Sequence, residues 1–451
     1  MLTLLFNRFP ALSRQRLSGG LILLSMAVVA ADLLGLPVER TWAGAGYWAA
    51  AALLWPGLAR RNRIQALLLL AVGGLCLAWS VRQGAAVELG RIVSSNSGLL
   101  SMLVAVSFLG LVSRPAGESE ERLPRGRRAV ASTLGAVHLF GSVINLSSVF
   151  IIGDRLARQG NLSREQSIVL IRGFTAAAFW SPFFAAMAVA LSVAPGAHLA
   201  SLWLVSMPLA LLGLGLTFWQ LCRQQGEEAA PVGDFTGYPL HPGGVWLPAL
   251  LAAAVLLLHQ LWPALSILAV ITLLAPALSL LVLFGARRSP LAALGRLVNG
   301  RLPQMGNELA LFLAAGVLGY GLETLIVTWG GTLPLQGFGA LEASLTYLAT
   351  VLLSLLGIHP IICIALAGSV LAPLSPDHTL LALVFLSSWA VGTATGPLSG
   401  INLAFQGRYG VDSFRIMRWN LGYLGLMSVL VVLAIWLLAA LLDYQAASGG
   451  A

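Results

Sequence analysis

Apolar runs of about 20 residues recur from Gly19 to Leu442 with only short polar breaks between them, and each is long enough to cross a hydrocarbon core of about 30 Å. In such a solvent every main-chain N–H and C=O must find its partner within the protein, which leaves helices or a closed barrel as the spanning structures. Runs of this length and continuity are helical. Of the 451 residues 58% are hydrophobic and 10% charged, against roughly 25% charged in an ordinary soluble domain. The longest breaks, near Arg114 to Arg128 and Cys222 to Gly244, hold about 15 to 23 residues and leave no room for a soluble catalytic module. Cys76, Cys222 and Cys363 form no CxxC pair and sit in or beside apolar segments, so neither a disulfide framework nor a zinc site is expected. The first apolar segment, Gly19 to Leu36, follows basic residues and precedes no small-residue cleavage site, so it reads as retained.

All 26 basic residues are arginine and the net charge is +9. In a membrane chain that excess first reports topology, since cytoplasmic loops are the basic ones, and no nucleic-acid partner is expected. Spans read near 19–36, 42–58, 65–81 and 95–113, with arginines at Arg8, Arg14 and Arg16, at Arg60, Arg61 and Arg63, and from Arg114 to Arg128. Alternate loops are thus basic, which sets the N-terminus in the cytoplasm. The stretch Ala129 to Gly153 has arginine clusters at both ends, Arg122 to Arg128 and Arg155 to Arg164. A hairpin that returns to its side of entry satisfies both. Spans near 166–191, 201–221, 245–262, 264–285, 307–330, 379–405 and 419–442 follow, and Ala340 to Pro373, flanked by arginine-free loops, reads as a second hairpin entering from outside. On this reading 22 arginines lie inside, Arg40, Arg82 and Arg91 outside, and Arg172 within a span. The C-terminus is then periplasmic, in a bacterial inner membrane.

The expected fold is an all-α polytopic membrane protein of about 11 transmembrane helices plus two re-entrant hairpins, arranged as two inverted repeats. The divisions are 1–40 for the N-terminal segment, 41–222 and 245–442 for the repeats, 223–244 for a cytoplasmic linker and 443–451 for a tail. The repeat rests on order and spacing. One hairpin midpoint, Gly141 to Ser148, precedes the break Phe179-Trp180-Ser181-Pro182-Phe183. The other, Ser354 to Pro360, precedes Gly392 to Asn402. Ser147 to Pro182 is 35 positions and Pro360 to Pro397 is 37.

This layout resembles the ion transporter superfamily, which includes divalent-anion/sodium symporters, citrate carriers and the large membrane subunits of TRAP systems. The resemblance covers nearly the whole chain after residue 40 and is strongest over Ser142 to Pro182 and Gly357 to Asn402. It implies secondary transport of a small organic anion, rather than enzymatic chemistry, with no cofactor beyond a coupling Na+ or H+. Family members often carry a Ser-Asn-Thr-like triplet at each tip. Here Asn145-Leu146-Ser147 stands at one, and the other has no asparagine, so the coupling ion is open between sodium and proton.

A helix stopped inside the membrane leaves polar main-chain groups unpaired, and Pro182 and Pro397 enforce such stops. Positive helix N-termini then suit an anion, and freed carbonyls with Ser, Thr or Asn oxygens suit a cation. One half-site is expected at Ser142, Asn145, Ser147, Ser181 and Pro182, the other at Thr393, Thr395, Pro397, Ser399 and Asn402, with His359 at the second tip as the proton-coupling candidate. The competing reading is that these small residues only let helices pack closely. Arg172 is a candidate substrate-anion ligand, and Glu323 a proton relay or a partner of Arg172 or another polar group. Asp32, His138 and Asp154 are weaker candidates, and Asp377 and His378 read as a solvated turn. Partners expected are the substrate anion, membrane lipids and a second copy of the chain. Other functions on the same fold are an exporter, a lipid-phosphate flippase or a TRAP-type subunit; a membrane glycosyl or acyl transferase is disfavoured by the short outer loops.

Overall fold

A computed structural model describes residues 11–112, 123–158, 160–223, 232–240, 246–329 and 337–449. In chain order its helices are α1 Ala11–Leu33, α2 Arg40–Leu54, α3 Arg60–Arg82, α4 Leu89–Ser94, α5 Ser97–Ser107, α6 Gly126–Ile144, α7 Leu146–Ala157, α8 Arg164–Thr175, α9 Ala185–Val193, α10 Leu199–Arg223, α11 Trp246–Leu261, α12 Ile267–Gly285, α13 Pro290–Arg296, α14 Gly306–Trp329, α15 Ala340–Leu355, α16 Pro360–Leu371, α17 His378–Thr395, α18 Gly400–Tyr409 and α19 Ser413–Gly449. The described residues contain no strand, and eight of their helical stretches are long and apolar enough to cross a membrane. The chain is an all-α polytopic membrane protein. Several expected spans are shorter or divided: α2 has 15 residues, and both 166–191 and 379–405 contain a helix interruption. Arg8, Arg114, Arg122 and most of the expected 223–244 linker lie outside the described residues.

The chain forms two compact units, one of Met1–Ser113, Ala254–Pro334 and Ala365–Ala372, the other of Arg114–Ala253, Leu335–Ile364 and Pro373–Ala451. In the first, α3 lies along α14 and α1 along α2. Glycine lets α3 and α14 touch: a Cβ on Gly73 would fall 2.7 Å from the Val317 carbonyl oxygen, and one on Gly321 2.5 Å from that of Gly73. Lipid tails supply no hydrophobic drive for helix association, so close backbone approach is what holds such a pair. Buried polar groups are paired across elements, Tyr47 Oη with Ser101 Oγ at 2.8 Å and Asn96 Nδ2 donating to the Phe312 carbonyl at 2.8 Å. Leu291, Leu294, Leu297 and Val298 would share one face of a regular helix, but they are not buried alike. Leu297 is buried while Leu291 is exposed, where the chain widens from α13 into a π-helical turn, Leu297–Arg301.

The second unit is built around α17, which packs against α15, α19 and α9. Ninety-four per cent of its apolar window is buried, against 22% for α19, whose outer face stays exposed. A helix apolar on all sides belongs inside. Residues 232–240 are pinned to this unit: Tyr238 N–H donates to Thr133 Oγ1 at 2.7 Å, Ser132 Oγ donates to the Tyr238 carbonyl at 2.9 Å, and Gln166 Nε2 donates to that of Thr236 at 2.8 Å. Trp42, Trp219, Trp262 and Trp329 are exposed near helix ends, as an interfacial belt requires.

Candidate functional site

Both helix interruptions and both hairpin turns lie in the second unit, and each turn leans on the interruption that follows it. Helix α6 gives way to α7 at one residue, Asn145, whose φ of 52° and ψ of −144° lie outside the helical and extended regions. Helix α8 starts from a capping box, Ser163 Oγ accepting from Gln166 N–H at 3.1 Å and Gln166 Oε1 from Ser163 N–H at 2.9 Å. It continues as the 3₁₀ turn Ala176–Phe179 and stops before Pro182, which has no N–H to extend the ladder. Phe184 is extended, and α9 resumes at Ala185.

The turn and the break are stitched by the residues expected there. Ser181 Oγ donates to the Ser142 carbonyl and accepts from Phe183 N–H at 3.2 Å. Asn145 Nδ2 donates to the Phe183 carbonyl at 3.2 Å. These bonds satisfy groups that the helix ends release. Ser142 Oγ turns back to the Leu139 carbonyl at 2.8 Å, and Ser147 is half-buried at the start of α7. His138, beside them, is saturated: Nε2 accepts from Trp180 Nε1 at 3.0 Å and Nδ1 lies 3.2 Å from the Gly173 carbonyl, which assigns the proton to Nδ1.

The second pair is built from the same parts. Asp377 Oδ1 starts α17 by accepting from Thr379 and Leu380 N–H at 2.8 and 2.9 Å, and His378 Nδ1 accepts from Gly196 N–H at 2.9 Å. What reads in sequence as a solvated turn is a helix cap. Helix α17 ends at Gly396, extended as residues before proline are, and Ser399 caps α18 by accepting from Asn402 N–H at 3.4 Å. Pro397 is buried, and Thr395 Oγ1 donates within its own helix to the Val391 carbonyl at 2.8 Å. The last turn of α15 presses on the last turn of α17. A Cβ on Gly396 would come within 2.8 Å of the carbonyl oxygens of both Gly392 and Ser354, and one on Gly392 within 2.8 Å of Ser354 Oγ. His359, at the second turn, accepts from Ile361 N–H at 3.2 Å through Nδ1 and sits edge-on to Trp389 with ring centroids 5.8 Å apart.

Two oxygens at this break are left over. Asn402 is fully buried and its Nδ2 donates to the Gly396 carbonyl at 2.9 Å, yet its Oδ1 has no partner, and neither does the buried Oγ1 of Thr393. An unsatisfied buried polar atom costs about 1–3 kcal/mol, and native proteins keep few of them. Oxygen acceptors at a broken helix are the chemistry that takes up a hard cation.

Arg172 has a different place. Its Nε donates to Asn420 Oδ1 at 2.6 Å, Nη1 to Gln220 Oε1 at 2.6 Å and Nη2 to the Trp419 carbonyl at 3.1 Å, with the guanidinium 4.4 Å from the Tyr423 ring centroid. Asn420 Nδ2 in turn donates to the Ala394 carbonyl at 3.1 Å. The arginine ties α8 to α10 and α19, and neutral amides and an aromatic face take up its charge. Glu323 is exposed in the first unit and paired with Arg91 at 3.2 Å, so its partner is Arg91 rather than Arg172.

The sequence reading assigned no role to Ser354, Gly392 or Gly396. The four-residue spacing of the two glycines, which marks a small face on a helix, is the signal that points to them. It also missed the clasp in which Arg408 grips both carboxylate oxygens of Asp154, with Tyr409 Oη donating to Oδ1 at 2.9 Å, so that α7 is held to α18. The side chains of the pair are 50% and 44% exposed, so a double-mutant cycle on Asp154→Asn and Arg408→Gln is expected to give a coupling of no more than about 1 kcal/mol, shrinking with salt. A coupling several times larger would show that this end of α7 is shielded from solvent.

No family model and no curated protein matches the chain. Among solved structures it is similar to the YdaH transporter of Alcanivorax borkumensis, with a TM-score of 0.45 and 16% identity over 84% of this chain and 98% of that one.

Proposed function

We propose that the chain is a secondary transporter of a small, carboxylate-like organic anion, coupled to sodium or protons and working by elevator-like alternating access of the unit that carries the two hairpin turns. The observation that carries this reading is the buried Oδ1 of Asn402, unpartnered at the break between α17 and α18. A polar residue buried in an interrupted membrane helix and left short of one partner is arranged for something that comes and goes. On this reading Ser142, Asn145, Ser147, Ser181 and Pro182 form one half-site. His359, Thr393, Thr395, Pro397, Ser399 and Asn402 form the other, in the inverted-repeat order of hairpin then broken helix. The N-termini of α9 and α18, both beginning at a break, supply the positive ends that suit a carboxylate. The spare oxygens favour sodium as the coupling ion. His359 Nδ1 already accepts from Ile361 N–H, a bond that protonation would destroy.

The test is uptake of labelled di- and tricarboxylates into proteoliposomes under imposed sodium or pH gradients. The expected result is saturable, sodium-driven flux. Asn402→Ala is expected to raise the sodium concentration for half-maximal flux about tenfold, as loss of one coordinating oxygen worth about 1.4 kcal/mol predicts. Glu323→Gln leaves flux unchanged. Flux indifferent to both gradients, or an Asn402→Ala protein with wild-type sodium dependence, would sink the proposal.

A further inference from the structure

Arginines gather where the C-terminal end of α10 meets the N-terminal end of α19. Arg223 lies 5.3 Å from the Trp219 ring centroid, and Arg164 and Arg415 each lie 5.9 Å from that of Trp419. Trp219, Gln220, Arg223, Trp419, Gly422 and Tyr423 line a cavity of about 260 Å³. Arg172 lies buried against Gln220 and Tyr423 of this lining. Among the described residues, Arg164, Arg223 and Arg415 enter no ion pair. The carboxylates on the packed elements do not neutralise them: Asp412 accepts from the main-chain N–H of Arg415 at 2.8 Å, and Glu165 Oε1 is buried without a partner. The Nε of Arg164 is likewise buried with no acceptor. Positive charge and donor capacity are both in surplus here.

The cavity does not stand alone. Helices α10 and α19 pack along a seam in which Gly213 faces Tyr423, a Cβ at Gly213 falling 2.9 Å from Tyr423 Oη. One helical turn apart, Trp219, Gly215 and Leu212 on α10 and Gly422, Gly425 and Val429 on α19 line up. All six are exposed, and a Cβ at Gly215, Gly422 or Gly425 would meet nothing within 4 Å. The arginine cavity therefore borders the exposed, largely apolar faces of α10 and α19.

We propose that this is a binding site for an anionic phospholipid. The headgroup phosphate is held by Arg223 and Arg415, with Arg164 Nε as a further donor, and an acyl chain lies on the exposed face beside the cavity, over Gly422 and Gly425. Guanidinium is the side chain whose planar fork matches phosphate oxygens, and basic pockets between membrane helices are where anionic headgroups bind. The exposed apolar face selects the lipid over free phosphate, which would use the cavity alone.

The experiment uses full-length protein in mild non-ionic detergent, delipidated and titrated with phosphatidylglycerol, phosphatidylcholine or inorganic phosphate, with adducts read by native mass spectrometry and the thermal midpoint followed in parallel. Phosphatidylglycerol is expected to bind and raise the midpoint, while phosphatidylcholine and inorganic phosphate do neither. Arg223→Gln with Arg415→Gln is expected to weaken binding about 25-fold, about fivefold for each arginine removed. Gly425→Leu puts a bulky side chain on that face at an exposed position that tolerates one, keeps every charge, and is expected to weaken binding too. Equal binding of the two lipids, stabilisation by inorganic phosphate alone, or unaltered phosphatidylglycerol binding in these variants would each overturn the assignment.

Discussion

An Arg172→Met protein is expected to lose roughly 3 kcal/mol of stability, because the substitution strands two amide oxygens at once, one fully buried and one half-buried. Asn420 Oδ1 and Gln220 Oε1 each receive a bond from the guanidinium at 2.6 Å, and methionine donates nothing. Relief of the buried charge returns part of that cost, which keeps the loss at the low end of the sum of two charge-assisted bonds at about 1.5–3 kcal/mol each. Freed from Arg172, Asn420 also loses its fixed orientation toward the Ala394 carbonyl at the end of α17, so the damage reaches the second helix break from a residue near the first. The measurement is the thermal or denaturant midpoint in detergent. Arg172→Lys is expected to recover little, since one ammonium cannot reproduce the fork that reaches α10 and α19 together. Wild-type stability in the methionine variant would show that the three-helix tie carries no load.

Gly396→Ala is expected to abolish transport, and for a steric rather than a conformational reason. The backbone at Gly396, φ −62° and ψ 119°, is open to any residue, so alanine meets no torsional penalty. Its Cβ would instead stand 2.8 Å from two main-chain oxygens, those of Gly392 and Ser354. Main chain cannot rotate aside as a side chain does, so α15 must retreat from the break, at a cost typical of overpacking, about 1–3 kcal/mol. Gly392→Ala makes the contrast. Its Cβ meets Ser354 Oγ at 2.8 Å and Ser354 Cβ at 3.0 Å, both of which Ser354→Gly removes. Ser354→Gly is therefore expected to restore flux to the Gly392→Ala protein and not to the Gly396→Ala protein. Rescue of both, or of neither, would show that the close approach of α15 to α17 is not what the glycines are for.

Much of the candidate site was legible because helix breaks are written in local chemistry. Pro182 and Pro397 cannot donate, Asn145 tolerates positive φ, and Ser399 is a cap residue; each lies where the sequence places an interruption or a turn. The surroundings of Arg172 were not legible, for the opposite reason. An arginine inside an apolar span reads as a ligand for an anion, but its acceptors, Gln220 and Asn420, lie 48 and 248 positions away, and no local pattern announces them. The identity of the polar partner of Glu323 was hidden alike, since Arg91 reaches it from 232 positions away.

Hydropathy sufficed to make this chain an all-α polytopic membrane protein, since an unpaired main chain is intolerable in hydrocarbon and an apolar run of that length has few ways to pair it. It could not rank the spans. Helices α17 and α19 are both apolar, yet the first is enclosed by protein and the second borders what surrounds it, and to a transfer scale lipid and protein interior are the same medium. Which oxygens end up satisfied was decided by tertiary structure alone. Ser181 and Asn145 spend their side chains on the first break, while Asn402 keeps one atom unspent at the second, a difference set by neighbours that only the fold brings within 3 Å or so.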